Sequence, residues 1–406
     1  MTSVATTFPA ALDIPDDVLE IPRTLDTAGY EVWCVGGAIR DALLDPQAAA
    51  DSLRIAVDFA TSATPEQVQA VFGRKRTVEV GLKYGTVGVF DRGRVLHEVT
   101  TFRRDVETDG RHAVVSWGVS LEEDLARRDF TINAIAYHPM RREWRDPFGG
   151  ATDLELGVVR AVGDPAERFR EDYLRVLRAL RFAARFGFVI DPATWAAAQA
   201  AAEGLRQLSA ERVHDEWYKG LRTARSVSHL VDLWREAGAA AVWLPELEAS
   251  VPHPAEADRL PRDPVLLVML LCAAPAKVLQ RLRAKNSEIA RAEAVARAPS
   301  APEDLSAASV RRWLAAAGPA VDDLLALWRL RNGADAPWAP GVAEVRRRGD
   351  PVTRGDLALD GHDLLVLGVP PGPRVGEVLD QLLARVLEDP SLNTRDQLSA
   401  IVRGLL

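Results

Sequence analysis

Two carboxylates stand in apolar, strand-like text: Asp58 in LRIAVDFATSATP (53–65) and Glu98 in RVLHEVTTF (94–102). Phosphoryl transfer with bound cations needs oxygen ligands carried on rigid elements, and two acids on adjacent strands of one sheet would supply them. A glycine pair, Gly36 and Gly37 in VGGAIRD, lies between a strand and a helix, where the backbone can approach a phosphate. DLARRDFTINA (124–134) places Arg127, Arg128 and Asp129 at the head of an apolar segment. An Arg–Asp pair there is either a salt-bridged helix start or a bidentate clamp on phosphate or ribose.

EDYLRVLRALRFAARFG (171–187) carries the densest signal. At about 100° per residue, Arg175, Arg178, Arg181 and Arg185 share a stripe roughly 120° wide. Val176, Leu177, Leu180, Ala183 and Ala184 fall opposite. A solvated face with salt bridges is one reading of such a stripe. Glu171 and Asp172 compensate it only in part, which favours an anionic ligand. Between Arg160 and Arg185 there are seven arginines against four acids, in a chain whose net charge is −8. A local basic stripe on an acidic protein marks a polyanion site.

These residues need elements to hold them. YEVWCVGG, RIAVDFA, RTVEVG, GTVGVFD and RVLHEVTTF read as strands, whereas AIRDALL has helical spacing. From about residue 165 onward strand signals nearly vanish, and segments with Asp, Ser or Pro starts and Gly stops read as helices. The expected fold is therefore α+β: a mixed sheet with helices, followed by an all-helical remainder. Linkers are expected near 250–264 and 333–353, both rich in Pro, Gly and charge.

With 406 residues the chain exceeds one ordinary domain, and 48% hydrophobic with 27% charged residues suits a folded protein. Its longest apolar run, Val265 to Ala274, is too short to span a bilayer. The N-terminus lacks the pattern of a secretory signal. Cys34 and Cys272 sit in apolar text and read as buried thiols of a cytoplasmic protein. No His/Cys cluster indicates zinc, and nothing marks a membrane or an obligate protein partner.

Taken together, these motifs resemble the class II tRNA nucleotidyltransferase and bacterial poly(A) polymerase family, within the polymerase-β-like nucleotidyltransferase superfamily. The resemblance rests on GGAIRD (36–41), DFATSATPEQV (58–68), GLKYGTVGV (81–89), EVTTFRRD (98–105), RRDFTINA (127–134), DPFGG (146–150), EDYLRVLRALRFAARFGF (171–188) and SAERVHDEW (209–217), in that order. It implies a catalytic head over residues 1–160, a nucleotide-selecting helical neck over 161–225, a helical body over 226–335 and an RNA-binding tail over 336–406.

By the same resemblance, Gly36, Gly37 and Arg40 would approach the incoming triphosphate, and Asp58 and Glu98 would sit at Mg²⁺. Arg128 and Asp129 would hold ribose and phosphates. Asp172 and Arg175, with Glu171 orienting Arg175, would read the base edge of CTP or ATP, while Arg178 and Arg181 would face the phosphates. The implied activity is addition of C and A residues to tRNA 3′ ends. A poly(A) polymerase shares the motifs. A nucleotide- and RNA-binding chain that has lost its chemistry is the third reading, because the family's Asp-x-Asp here reads Ala56-x-Asp58. Asp51 is the nearest upstream acid.

Overall fold

The computed structural model describes residues 8–47, 53, 57–108, 113–247 and 262–405, so Ala56, Asp51 and most of the expected 250–264 linker lie outside the described residues. The chain divides into two compact units, residues 1–245 and 246–406.

The first unit is built on a seven-stranded sheet, ordered β3-β4-β5-β2-β1-β8-β9. Its strands are β1 (Val32–Val35), β2 (Asp58–Thr61), β3 (Thr77–Gly81), β4 (Thr86–Phe90), β5 (Leu96–Thr101), β8 (Ala136–His138) and β9 (Glu143–Arg145). Only β2 and β5 pair parallel, with Phe59 opposite Val99 and Thr61 opposite Thr101; the other neighbours are antiparallel. All five strands expected from the sequence are present. A hairpin, β6 (Arg103–Thr108) with β7 (Ala113–Trp117), adds a pair the sequence reading did not anticipate.

Local chemistry places the helices. After α1 (Asp16–Thr27), α2 (Gly37–Leu44) starts at the glycine pair. In α3 (Pro65–Phe72) Thr64 and Gln67 form a capping box, and in α4 (Leu121–Ala126) Ser120 and Glu123 do the same. α5 (Gly150–Leu156) follows, and then α6 (Pro165–Glu171), capped by Asp164, meets α7 (Leu174–Phe186) at a break over Asp172 and Tyr173. Gly187 ends α7 at φ 69°, a left-handed conformation that costs glycine nothing. The apolar side of α7 is buried as its spacing requires, with Val176, Leu177 and Leu180 fully enclosed. α8 (Pro192–Ala200), α9 (Ala210–Thr223), α10 (Val227–Glu236) and α11 (Ala239–Trp243) complete the unit. One short parallel pair, β10 (Val158–Val159) with β11 (Val189–Ile190), interrupts the helical stretch.

The second unit is helical: α12 (Pro264–Leu271), α13 (Pro275–Arg281), α14 (Asn286–Arg297), α15 (Ala307–Ala317), α16 (Val321–Asn332), α17 (Ala339–Arg348), α18 (Gly361–Val366), α19 (Pro373–Glu388) and α20 (Arg395–Arg403). The linker expected at 333–353 is instead largely α17. Trp338, Val342 and Val345 recur at helical spacing and enter a core with Val310, Trp313 and Leu314, so the prolines there begin a helix rather than break one. A separate apolar cluster joins Leu364, Leu382, Val386, Leu398 and Val402. No helix among the described residues is long and apolar enough to cross a membrane. Cys34 and Cys272 are both buried, as expected.

Candidate active site

Within the first unit a cleft of about 980 Å³ lies between the sheet and the α7 and α9 helices. Every site residue expected from the sequence borders it except Glu171, which stands behind Arg175.

The two carboxylates meet as the strand pattern requires. Asp58 opens β2 opposite Val35, and β5, the parallel neighbour, carries Glu98 at the same level. Burial pushes the Asp58 carboxyl up, and the Glu98 charge adds to this; Arg128 and His97 pull it down, leaving it at about 6. Gly36 makes the close approach that its type permits. At φ 80° and ψ −146°, a Cβ there would lie 3.2 Å from Asp58 Oδ2 and 3.6 Å from Arg128 Nη1.

Arg128 is held from behind. Buried Asp124 accepts Arg127 Nε at 3.0 Å and Arg128 Nη2 at 3.3 Å. Arg128 Nε is buried with no hydrogen-bond partner among the described residues.

Arg40 borders the cleft but is largely buried and engaged. It is 4% exposed, its Nε and Nη2 donate to Asp41 and its Nη1 to Asn133 Oδ1 at 2.6 Å. Its guanidinium also lies within 5.0 Å of the Phe182 and Phe186 ring centres. Asn133 in turn donates to Asp129 Oδ1 at 2.9 Å. Burial alone would raise the Asp129 carboxyl, but the Arg178 charge and hydrogen bonds from Asn133, Arg178 and the Phe130 N–H hold it at about 2.

The arginine stripe is neutralised by acids from other elements. Arg178 pairs with Asp129, Arg185 with Asp41 at 3.0 Å, and Arg181 with Glu216 of α9 at 2.5 Å. Arg181 is 8% exposed, so the polar-looking side of α7 is partly buried against α9. Asp172 accepts the Leu174 N–H at 3.0 Å and Arg212 Nη2 at 2.6 Å. Arg175 donates to Glu171 at 2.5 Å, to the Arg168 carbonyl at 3.0 Å and to the Arg127 carbonyl at 3.1 Å. Asp172 and Arg175 thus present an acceptor beside a donor at one wall of the cleft. Asp41, Asp124, Asn133, Arg212 and Glu216 were not singled out by sequence. Each falls in or beside a recognised motif, but its partners lie 1 to 144 residues away.

Residues 32–160 match the family described as "Poly A polymerase head domain", and residues 187–251 match "Probable RNA and SrmB- binding site of polymerase A". The chain is 35% identical to the CCA-adding enzyme of Latilactobacillus sakei, covering 94% of this chain and 96% of that one. It is 36% identical to the CCA-adding enzyme of Geobacillus kaustophilus, covering 95% and 96%. The chain belongs to the CCA-adding enzyme family. The crystal structure of the Bacillus stearothermophilus CCA-adding enzyme in complex with CTP superimposes with a TM-score of 0.78, at 33% identity over 96% of both chains. The Thermotoga maritima CCA-adding enzyme complexed with tRNA shares the fold at 20% identity and a TM-score of 0.65.

Proposed function

We propose that this chain adds C and A residues to the 3′ end of tRNA, taking CTP and ATP as substrates. The observation that carries the reading is the opposition of two pairs across one cleft: Asp58 with Glu98 on the sheet, Asp172 with Arg175 on the neck. Cytosine and adenine both present an exocyclic amine beside a ring nitrogen acceptor. Asp172 accepts from the amine and Arg175 donates to the ring nitrogen. Uracil and guanine carry a carbonyl in place of that amine, which would face the Asp172 carboxylate and be repelled. Glu171 and Arg212 lock these two side chains, so the discrimination is built in before the nucleotide arrives.

The donor set fits Mg²⁺. Asp58 and Glu98 are hard oxygen ligands whose mutual repulsion contributes to the raised Asp58 carboxyl, and a cation between them would relieve it. When bound, Mg²⁺ would supply activation of the attacking 3′-hydroxyl and neutralisation of the departing pyrophosphate. Arg128, which borders the cleft, and the first-turn N–H groups of α2 beside Gly37 would receive the triphosphate. Arg178, one-third exposed beside Asp129, would contact the phosphates. Arg40 and Arg181 would instead set the cleft's shape from behind. Residues 1–160 would act as head and 161–225 as neck, with the 226–335 body and 336–406 tail holding RNA in the cytoplasm.

A tRNA lacking its 3′ end, incubated with CTP alone, ATP alone and both, tests this. Two C additions followed by one A support it. Runs of A on unrelated RNA would mark a poly(A) polymerase. CTP binding without incorporation would mark the non-catalytic reading that Ala56 favours.

A further inference from the structure

We propose that His97 and Asp91, buried behind the sheet, are positioning residues that fix Asp58 relative to Glu98; the proposal rests on reading those two carboxylates as the Mg²⁺ ligands. His97 precedes Glu98 on β5 and points to the opposite face, where it is fully enclosed. Its Nδ1 lies 3.2 Å from the Val57 carbonyl, and its Nε2 lies 3.3 Å from Asp91 Oδ2. Asp91 is itself tied down. Its Oδ1 accepts the Val95 N–H at 2.8 Å, and its own N–H donates to the Val95 carbonyl, closing the turn between β4 and β5.

The ladder between β2 and β5 runs from Phe59 and Val99 to Thr61 and Thr101, so it stops short of the two acids. The imidazole makes the next link. It joins the residue before Asp58 to the residue before Glu98, at the level where the cation would sit. The Phe59 ring meets the imidazole edge at 6.0 Å and keeps it upright.

Proton accounting supports a fixed ring. A carbonyl only accepts, so Nδ1 carries hydrogen toward Val57. Nε2 faces the Asp91 carboxylate on the other side of the ring. The two contacts hold the ring in one orientation.

The test is Mn²⁺ binding, followed by electron paramagnetic resonance on the full chain, with D58N defining which bound Mn²⁺ belongs to this site. H97F keeps the ring volume and removes the link; it should weaken that Mn²⁺ at least about fivefold while CTP binding in EDTA stays within about twofold. D91N can donate its amide to Nε2 and preserve the Nδ1 link, so its Mn²⁺ affinity should stay within about twofold of the parent. If H97F does not fold, H97F/D91N removes the unpaired buried carboxylate with its partner and is read in the same way. Folded H97F, or the double variant in its place, that holds Mn²⁺ as the parent does would overturn the proposal. A parent chain without D58N-sensitive Mn²⁺ would overturn the metal reading beneath it. A parent that binds Mn²⁺ yet extends no tRNA leaves the positioning result fully readable.

Discussion

Arg178 on the neck helix donates from both Nε, at 2.7 Å, and Nη2, at 2.6 Å, to the same oxygen of Asp129 in the head. The other Asp129 oxygen accepts Asn133 Nδ2 and the Phe130 N–H, each at 2.9 Å. Asn133 reaches Arg40, Arg40 reaches Asp41, and Asp41 reaches Arg185 back on the neck. The polar network therefore starts and ends on α7 and ties it to α2 and to the segment before β8.

Asp129→Asn should cost about 2–3 kcal/mol of stability, below the ~3–5 kcal/mol of a fully buried pair because Arg178 is one-third exposed. The pH dependence has a definite sign. Asp129 titrates at about 2 in the folded chain and near ~3.9 when unfolded, so the unfolded state binds the extra proton between these values. Its stabilisation is present above pH ~4 and is lost as pH falls toward 2. Urea melts from pH 5 to 2.5 should show the parent losing stability more steeply than D129N across that window. Parallel curves would mean that this carboxylate is not the group holding the network.

Arg181 and Glu216 make a separate pair, with both side chains under a tenth exposed. Glu216→Ala would leave a buried guanidinium without its counter-charge and should destabilise by about 3–5 kcal/mol. Arg181→Met with Glu216→Met should recover most of that loss, because apolar replacement of both partners is close to neutral. Denaturant midpoints for the three chains decide the matter. If the double variant is as unstable as Glu216→Ala, the pair is not the source of the cost.

The sequence revealed the sheet and the site more fully than it revealed the partners. Runs of apolar and β-branched residues marked β1 to β5, a pattern local to each strand: Val35, Phe59, Val87 and Val99 are buried, while Val78 and Val80 of β3 are exposed. Asp58 and Glu98 were legible for the same reason. Arg40 was read as a phosphate contact, yet its neighbours Asn133, Phe182 and Phe186 are brought in by tertiary packing that no local period encodes. The α7 stripe was read as favouring an anionic ligand, and one helix cannot show that a second, α9, covers Arg181 with Glu216. Pro and Gly suggested a linker at 333–353, but the Trp338, Val342 and Val345 stripe outweighed them.

Gly36 offers a test of the close approach. Alanine there would hold a conformation that L-residues avoid, at about 1–3 kcal/mol, and its Cβ would press on the Asp58 carboxylate. Gly36→Ala should therefore lower turnover at least about tenfold, ~1.4 kcal/mol in the barrier, even where thermal melts show it folded. Full turnover in a folded G36A chain would reduce Gly36 to a turn residue with no bearing on Asp58.

Ala56 stands two residues before Asp58, the spacing that returns a strand side chain to the same face. The family resemblance implies a carboxylate there, and a methyl group cannot ligate a cation. Mg²⁺ readily keeps waters in its octahedral shell, so binding can survive the loss where alignment of the 3′-hydroxyl does not. Ala56→Asp should raise turnover at least about a hundredfold, ~2.7 kcal/mol in the barrier, with much less change in CTP affinity. The competing account makes Asp51 the replacement ligand, although five extended residues span about 17 Å and would have to fold back. Single-turnover extension of tRNA by the parent, A56D and D51N separates the two. A parent already fast, indifferent to A56D and silenced by D51N, would assign the missing carboxylate to Asp51. Asp58→Asn abolishes turnover on either account, so it serves as the control and not as the arbiter.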